Sequence, residues 1–312
     1  MNFRTVITIP KQKPINYQQQ ILLLGSCFSE HIGQKLIDYH LPCLSNPFGI
    51  LYNPLSIANA VQRLIAAKPF VEEELFEHHG LYHSWAHHGS FSTASKEETL
   101  AKINTRYQEA ANQLKQSDVL LITFGSSWVY EYHGTAVANC HKVAETEFTR
   151  RRLTVAEIVN TYTKLIQQLL EKNPHLQVIF SVSPIRYMRQ GASENQTNKA
   201  ILLLAIEELT EQFENVAYFP AYEIVLDELR DYRFFAEDMI HPSKVAIDYI
   251  WERFVDAFFD QETQKLLPKI EKLNKLMEHR PLHNDTADYK KFIAYKETLM
   301  AEFAKRYPAL IF

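Results

Sequence analysis

In residues 21–30, Ile21-Leu22-Leu23-Leu24-Gly25-Ser26-Cys27-Phe28-Ser29-Glu30, four apolar side chains run straight into a Gly-Ser break. Beyond the break Glu30, Ile32, Leu36 and Ile37 recur at helical spacing, so the segment reads as strand, tight turn, helix. The same grammar returns at 119–124, ended by Gly125-Ser126-Ser127, and at 177–182, ended by Ser183-Pro184. Amphipathic helical segments at 99–116 and 155–171 precede these two runs. Apolar runs without alternation, separated by helices, are the pattern of a parallel sheet buried on both faces. Further strands at 41–44 and 216–219, the latter after a helix at 199–213, bring the expected count to about five in a three-layer α/β/α fold. Function in such sheets gathers at the carboxyl ends of the strands.

The chain has 312 residues, Lys+Arg 33 against Asp+Glu 37, a net charge of −4 and 46% hydrophobic residues. A chain of this size and apolar content buries a sizeable core. With a pI near 6.4 and acids and bases interspersed, it carries no concentrated cationic surface for phosphates, and nucleic acid is not an expected partner. The first twenty residues hold no apolar stretch of the roughly 7 to 15 residues a secretory signal needs. No apolar run approaches the roughly 20 residues of a membrane span. Cys27, Cys43 and Cys140 form no C-x-x-C pair, and a reducing cytoplasm is the expected compartment.

Three stretches depart from the repeating unit. Residues 55–95 look like an insertion with a helix at 56–67 and then a His- and aromatic-rich loop around His78, His79, His83, Trp85, His87 and His88. Residues 128–152 look like a second, ending in Arg150-Arg151-Arg152, a run read as solvated charge. Residues 261–312 read as two or three charged amphipathic helices with a polar break at 280–285, packed outside the sheet. The expected division is therefore an α/β domain over 1–260, carrying the two insertions, and a helical extension over 261–312 packed on it. No fixed-period repeat or low-complexity tract appears.

A Ser on a strand-to-helix turn is held at a helix N-terminus, where backbone N–H groups also face any developing negative charge. Ser26 occupies such a place, although Ser is also a common helix cap. A hydroxyl needs a base to become a nucleophile. Asp238-Met239-Ile240-His241-Pro242-Ser243 supplies one, ahead of a helix starting near Ser243 and after the last expected strand. Two intervening residues allow the Asp238 carboxylate to fold back on the His241 imidazole and set its tautomer.

Gly25-Ser26-Cys27-Phe28 followed by Ser29-Glu30 resembles the signature of the GSCFA family, a bacterial branch of the SGNH (GDSL-like) hydrolases. The resemblance extends through Asn46-Pro47-Phe48-Gly49, residues 125–131, Asn139-Cys140-His141-Lys142, Ser183-Pro184-Ile185-Arg186 and 238–241, covering roughly residues 20 to 255. It implies a flavodoxin-like fold and ester hydrolysis with Ser26 as nucleophile, His241 as base and Asp238 as its partner. It further implies that the N–H groups of Ser26 and Gly49 face the oxyanion. Where the wider superfamily carries Gly-x-Asn, this chain has Gly125-Ser126-Ser127, which leaves Asn46, Asn139 and Ser127 as alternatives for the third donor. Loss of one such donor costs on the order of 100-fold in rate or more.

Other residues were weighed by chemistry. The histidines at 78–88 include i, i+4 pairs that would suit a metal on a helix, but Gly80 and the aromatic neighbours favour a lid whose His83, Ser84 and Trp85 meet substrate. Trp128 and Glu131 follow the second strand end and are candidate substrate contacts. Arg186 is either a clamp for a substrate anion or a partner of an acid such as Glu131. Cys27 is read as packing, its side chain turned away from the site. The expected substrate is a small-molecule or carbohydrate ester with a short acyl group, acetyl on a sugar being favoured. The chemistry calls for no cofactor or metal, and neither G-x-G-x-x-G nor a P-loop appears. The rivals are an acyltransferase with the same triad, a non-catalytic glycan or acyl-ligand binding module, and a His-rich metalloprotein.

Overall fold

Strand β1 (Ile21–Gly25) is buried along its whole length and lies between two parallel neighbours. The computed structural model describes residues 5–278 and 287–307. After β1 come α1 (Cys27–Asp38), β2 (Cys43–Ser45) and α2 (Pro54–Ile65). A hairpin of β3 (Leu75–His78) and β4 (Leu81–Ser84) leads to α3 (Lys96–Gln116) and β5 (Val119–Phe124). Then follow β6 (Trp128–Tyr132), β7 (Thr135–Val137), β8 (Phe148–Arg152), α4 (Val155–Lys172), β9 (Gln177–Val182), α5 (Ala192–Gln212) and β10 (Val216–Phe219). A one-turn α6 (Ala221–Glu223), then α7 (Lys244–Phe258), α8 (Gln261–Glu278) and α9 (Ala287–Arg306) complete the order.

The central sheet is five parallel strands in the order β10-β9-β5-β1-β2. Side chains alternate across each strand, and the two faces feed two separate cores. Leu22, Leu24, Leu120, Ile122, Phe124, Val178 and Phe180 pack against α2, α3, α4 and α5. Ile21, Leu23, Val119, Leu121, Ile179 and Phe219 pack against α1, α7 and α8. The expected three-layer parallel architecture is thus the observed one. β2 is added on one side of β1 and β5 on the other, so the order of strand addition reverses between β1 and β5, and their carboxyl ends form the crevice where ligands bind in open α/β sheets.

Gly25 makes that crevice possible. Its φ is 146°, and a Cβ there would meet the Thr123 carbonyl oxygen at 2.3 Å. Only glycine lets β1 run this close to β5 and still turn into α1.

The insertions differ from expectation. Residues 75–84 form the β3-β4 hairpin instead of a loop, with Leu75 opposite Ser84 and Phe76 opposite His83. Residues 128–152 form an antiparallel sheet of order β7-β6-β8, in which Tyr130 faces Val137 on one side and Arg150 on the other. Trp128, Tyr130 and Tyr132 share one face of β6 while Val129 and Glu131 share the other, so neither face is cleanly apolar or polar and a periodicity test passes the strand over. At the C-terminus, α8 inserts Leu266, Leu267 and Ile270 into the core beneath α1 and α7. The polar break at 280–285 lies outside the described residues.

Candidate active site

The β1–α1 turn holds Ser26 as the N-cap of α1 with extended backbone, φ −68° and ψ 175°. Its hydroxyl does not cap the helix. Ser26 is only 1% exposed, and its Oγ has no hydrogen-bond partner among the described residues. A buried hydroxyl without a partner costs stability and calls for a reason at that position.

The 238–241 segment closes as its spacing foretold. Asp238 Oδ1 accepts from the backbone N–H groups of Ile240 and His241, both at 2.9 Å, while Oδ2 lies 2.6 Å from His241 Nδ1. The turn is tight because Met239 sits in the left-handed region at φ 58°. The backbone N–H of His241, then that of Ile240, then the imidazole hold the Asp238 carboxyl down at about 2. The segment is pinned from outside as well. Ala236 N–H donates to the His241 carbonyl at 2.7 Å, and Arg186 N–H donates to that of Ile240 at 3.3 Å.

Ser26 and His241 line one cavity of about 430 Å³ at the carboxyl ends of β1, β5 and β9. Gly125 and Ser126 from the β5 loop, Ser183 and Arg186 from the β9 loop, and Trp128, Asn139 and Cys140 from the 128–152 insertion also line it. No hydrogen bond joins Ser26 Oγ to the imidazole; both groups face a common space.

The model of the GSCFA family matches residues 20–254. The chain belongs to the GSCFA family. No curated protein matches it in sequence. Among solved structures it is similar to an acetyl esterase variant with bound acetate, at 11% identity over 82% of this chain and 99% of that one, TM-score 0.35. It is also similar to a family 3 carbohydrate esterase of Clostridium thermocellum, at 10% identity over 81% and 98%, TM-score 0.37. A family 3 carbohydrate esterase of Talaromyces cellulolyticus gives 12% identity over 81% and 99%, TM-score 0.35.

In this GSCFA chain the remaining candidates fall into two groups. Asn139 lines the cavity; its Oδ1 accepts from His141 N–H at 2.8 Å, which leaves the amide Nδ2 available. Ser127 is fully buried and spends its hydroxyl on Asn198 Oδ1 at 2.7 Å. Asn46 Oδ1 accepts from Gly25 N–H at 2.9 Å, holding the β1 turn, but the residue does not line the cavity. Ser26 N–H donates to Thr123 O at 3.2 Å, and Gly49 N–H to Asn46 O at 2.8 Å, so both N–H groups expected to face an oxyanion are engaged here.

His83 and Trp85 do not line this cavity. His83 is buried between Ser92 Oγ at 2.6 Å and the His78 carbonyl at 3.1 Å, and Trp85 stacks on Phe76 at 3.8 Å. His87 is stacked on Phe48, and burial pushes it down to about 3. Burial likewise lowers His141 to about 4, so both rings are neutral packing groups. Glu131 also lies away from the cavity, bound by Arg151 at 2.9 Å.

Three readings of charge and thiol are revised. The 150–152 run is half-buried and paired instead of free in solvent: Arg151 pairs with Glu131 and Glu157, Arg152 with Glu194, and Arg150 lies 3.9 Å over the Trp128 ring. Long aliphatic stems and planar guanidinium groups let three adjacent arginines each find a separate partner on a sheet. Arg186 stacks on Phe235 at 4.0 Å rather than pairing with Glu131. Cys27 lines the cavity instead of turning away, because the first residue of α1 follows the turn into the crevice. Burial pushes its thiol up, the opposite of what an activated thiolate requires.

Sequence reasoning missed the polar underside of the cavity, supplied by α5. Lys199 is fully buried and donates to the carbonyls of Gly125 and Ser183, each at 2.7 Å. Burial lowers it to about 7. Its neighbour Asn198 accepts from Ser127 N–H at 2.5 Å and from both the Ser126 and Ser127 hydroxyls. The only sequence signal is polar residues on what becomes the inner face of a helix, which looks like ordinary surface until the helix is docked.

Proposed function

We propose that this GSCFA protein is a serine hydrolase that cleaves an ester through an acyl-enzyme. The reading rests on one observation: an unpartnered, buried Ser26 hydroxyl shares a cavity with an imidazole whose Nδ1 is already held by Asp238. With the proton of His241 fixed on Nδ1, Nε2 is the free base. Ser26 Oγ attacks the ester carbonyl carbon while Nε2 takes the hydroxyl proton; the tetrahedral intermediate collapses as that proton passes to the leaving alcohol. Water, activated by the same nitrogen, then releases the acid. In this reading the hydrogen bond from Ser26 Oγ to His241 Nε2 forms in the substrate complex, as is common for catalytic contacts that tighten on binding. On the same reading Asn139, which lines the cavity with its Oδ1 taken by His141 N–H, supplies the side-chain donor to the oxyanion. The substrate is a small-molecule or carbohydrate ester.

The test is hydrolysis of p-nitrophenyl acetate together with intact-mass detection of a fluorophosphonate adduct on wild type, Ser26→Ala and His241→Ala. One adduct and turnover in wild type, both lost in the folded variants, are expected. A wild type that neither turns over nor labels overturns the reading. The engaged N–H groups of Ser26 and Gly49 favour a second reading, a binding protein for acylated ligands on the same scaffold. Product analysis with an added alcohol acceptor separates hydrolysis from acyl transfer.

A further inference from the structure

The cavity that holds Ser26 has an aromatic lining braced from behind. Tyr52, Trp128, Tyr130, Val137, Ile185 and Tyr187 line it. Three of these come from the small β7-β6-β8 sheet, and arginines pin the rings. Arg150 covers the Trp128 ring at 3.9 Å and donates to the Tyr187 hydroxyl at 3.2 Å, while Arg189 donates to the hydroxyl of Tyr130. A platform fixed this way does not have to be ordered by its ligand.

Few polar groups on the cavity surface are left for a sugar. Asn53 spends both amide atoms on Ser56, at 2.8 and 3.0 Å. Ser126 Oγ donates to Asn198 and accepts from Trp128 N–H at 3.1 Å, and Ser183 Oγ accepts from Ile185 N–H at 3.3 Å. Asn139 Nδ2, Arg186 and the Trp128 indole N–H remain on the lining, all of them donors, so a pyranose seated here would find few acceptors for its own hydroxyls. The volume, about 430 Å³, is of the size that seats a whole small ligand, and an acetyl group of three heavy atoms would leave most of it unfilled.

The two halves of the ester are assigned by His241. Its side chain is 43% exposed, and it must protonate the leaving oxygen, so the alcohol half departs toward solvent. The acyl half then lies along the aromatic lining, in which Trp128, Tyr130 and Tyr187 are half-buried and Tyr52 is exposed. We infer that the cavity is an acyl pocket for a medium-chain or aryl acyl group, in place of the acetyl group expected from the sequence. This rests on the ester-hydrolase reading for its chemistry, though not for its binding.

The experiment has two arms. In the first, kcat/KM is measured on wild type for p-nitrophenyl acetate, butyrate and octanoate, with a rise of about tenfold or more from acetate to octanoate expected from the added buried methylenes. In the second, binding of octanoate and acetate to the Ser26→Ala protein is measured by calorimetry, with octanoate the tighter by about tenfold or more. Val137→Trp, which fills the pocket, should collapse the octanoate-to-acetate ratio in both arms. If acetate is the best substrate or octanoate binds no tighter than acetate, the acyl pocket is wrong. If octanoate binds but no ester turns over, the pocket stands and the hydrolase reading falls.

Discussion

Oδ2 of Asp238 lies 2.6 Å from Nδ1 of His241, within a turn whose two backbone N–H groups are already committed to the other carboxylate oxygen. The carboxylate therefore has one free oxygen and one use for it. Asp238→Asn keeps the shape but presents an N–H to Nδ1, which moves the imidazole proton to Nε2 and removes the base. A loss of about 10⁴-fold in kcat is expected, with the fold unchanged by circular dichroism. Because the carboxyl is held down at about 2, the acid limb of the wild-type rate profile will not report Asp238 anywhere above about pH 3.

Asn139 offers the amide that Gly125-Ser126-Ser127 lacks. If its Nδ2 meets the oxyanion, Asn139→Ala lowers kcat by about 10²- to 10³-fold and leaves KM nearly unchanged, since the bond strengthens as charge develops. Steady-state kinetics on a chromogenic ester check this. An equal rise in KM with kcat intact would place Asn139 in ground-state binding instead.

Lys199 ties together the loops after β5 and β9 through the Gly125 and Ser183 carbonyls. Lys199→Met keeps the bulk and removes both bonds, freeing the walls on either side of Ser26. Small displacements of reacting groups cost on the order of 100-fold, so kcat should fall by about tenfold or more. The proton linkage is also specific. A folded-state value near 7 against an ordinary lysine above 10 means the unfolded chain binds a proton that the folded one does not as pH drops from about 10.5 to 7. Stability therefore declines across that window as pH falls and levels off below it, and Lys199→Met should flatten the slope in chemical denaturation.

His87 predicts a second pH window. Buried against Phe48 and Phe70, its ring is pushed down to about 3. The unfolded chain takes up a proton below about pH 6.5 that the folded chain refuses until about pH 3, so stability falls through that interval by about 1.4 kcal/mol per pH unit for this one group. His87→Phe should reduce the slope, whatever it does to absolute stability. Denaturation midpoints between pH 7 and pH 4 decide it, and an unchanged slope removes the assignment.

The parallel sheet was readable because its strands are buried on both faces, so 21–24, 119–124 and 177–182 carry unbroken apolar runs that no surface element would tolerate. The Asp238–His241 pair was readable for a different reason: three residues are few enough that the backbone alone brings carboxylate and imidazole together. Neither inference needs a distant contact. The insertion strands of 128–152 were not readable, since their aromatic and arginine side chains gain partners only across the small sheet. Arg150 has no partner in its own segment; the Trp128 ring reaches it from the neighbouring strand.

The amino-acid sequence by itself determined local outcomes: which runs become buried strands, where glycine must turn β1 into α1, and that Asp238 can orient His241. Only the tertiary structure decided what encloses Ser26. Docking of α5 places the Lys199 amino group under two loop carbonyls 74 and 16 residues away, and formation of the small sheet gives three adjacent arginines their rings and acids. Such groups look like surface charge along the chain because their desolvation, and the partners that offset it, exist only once separate elements have packed.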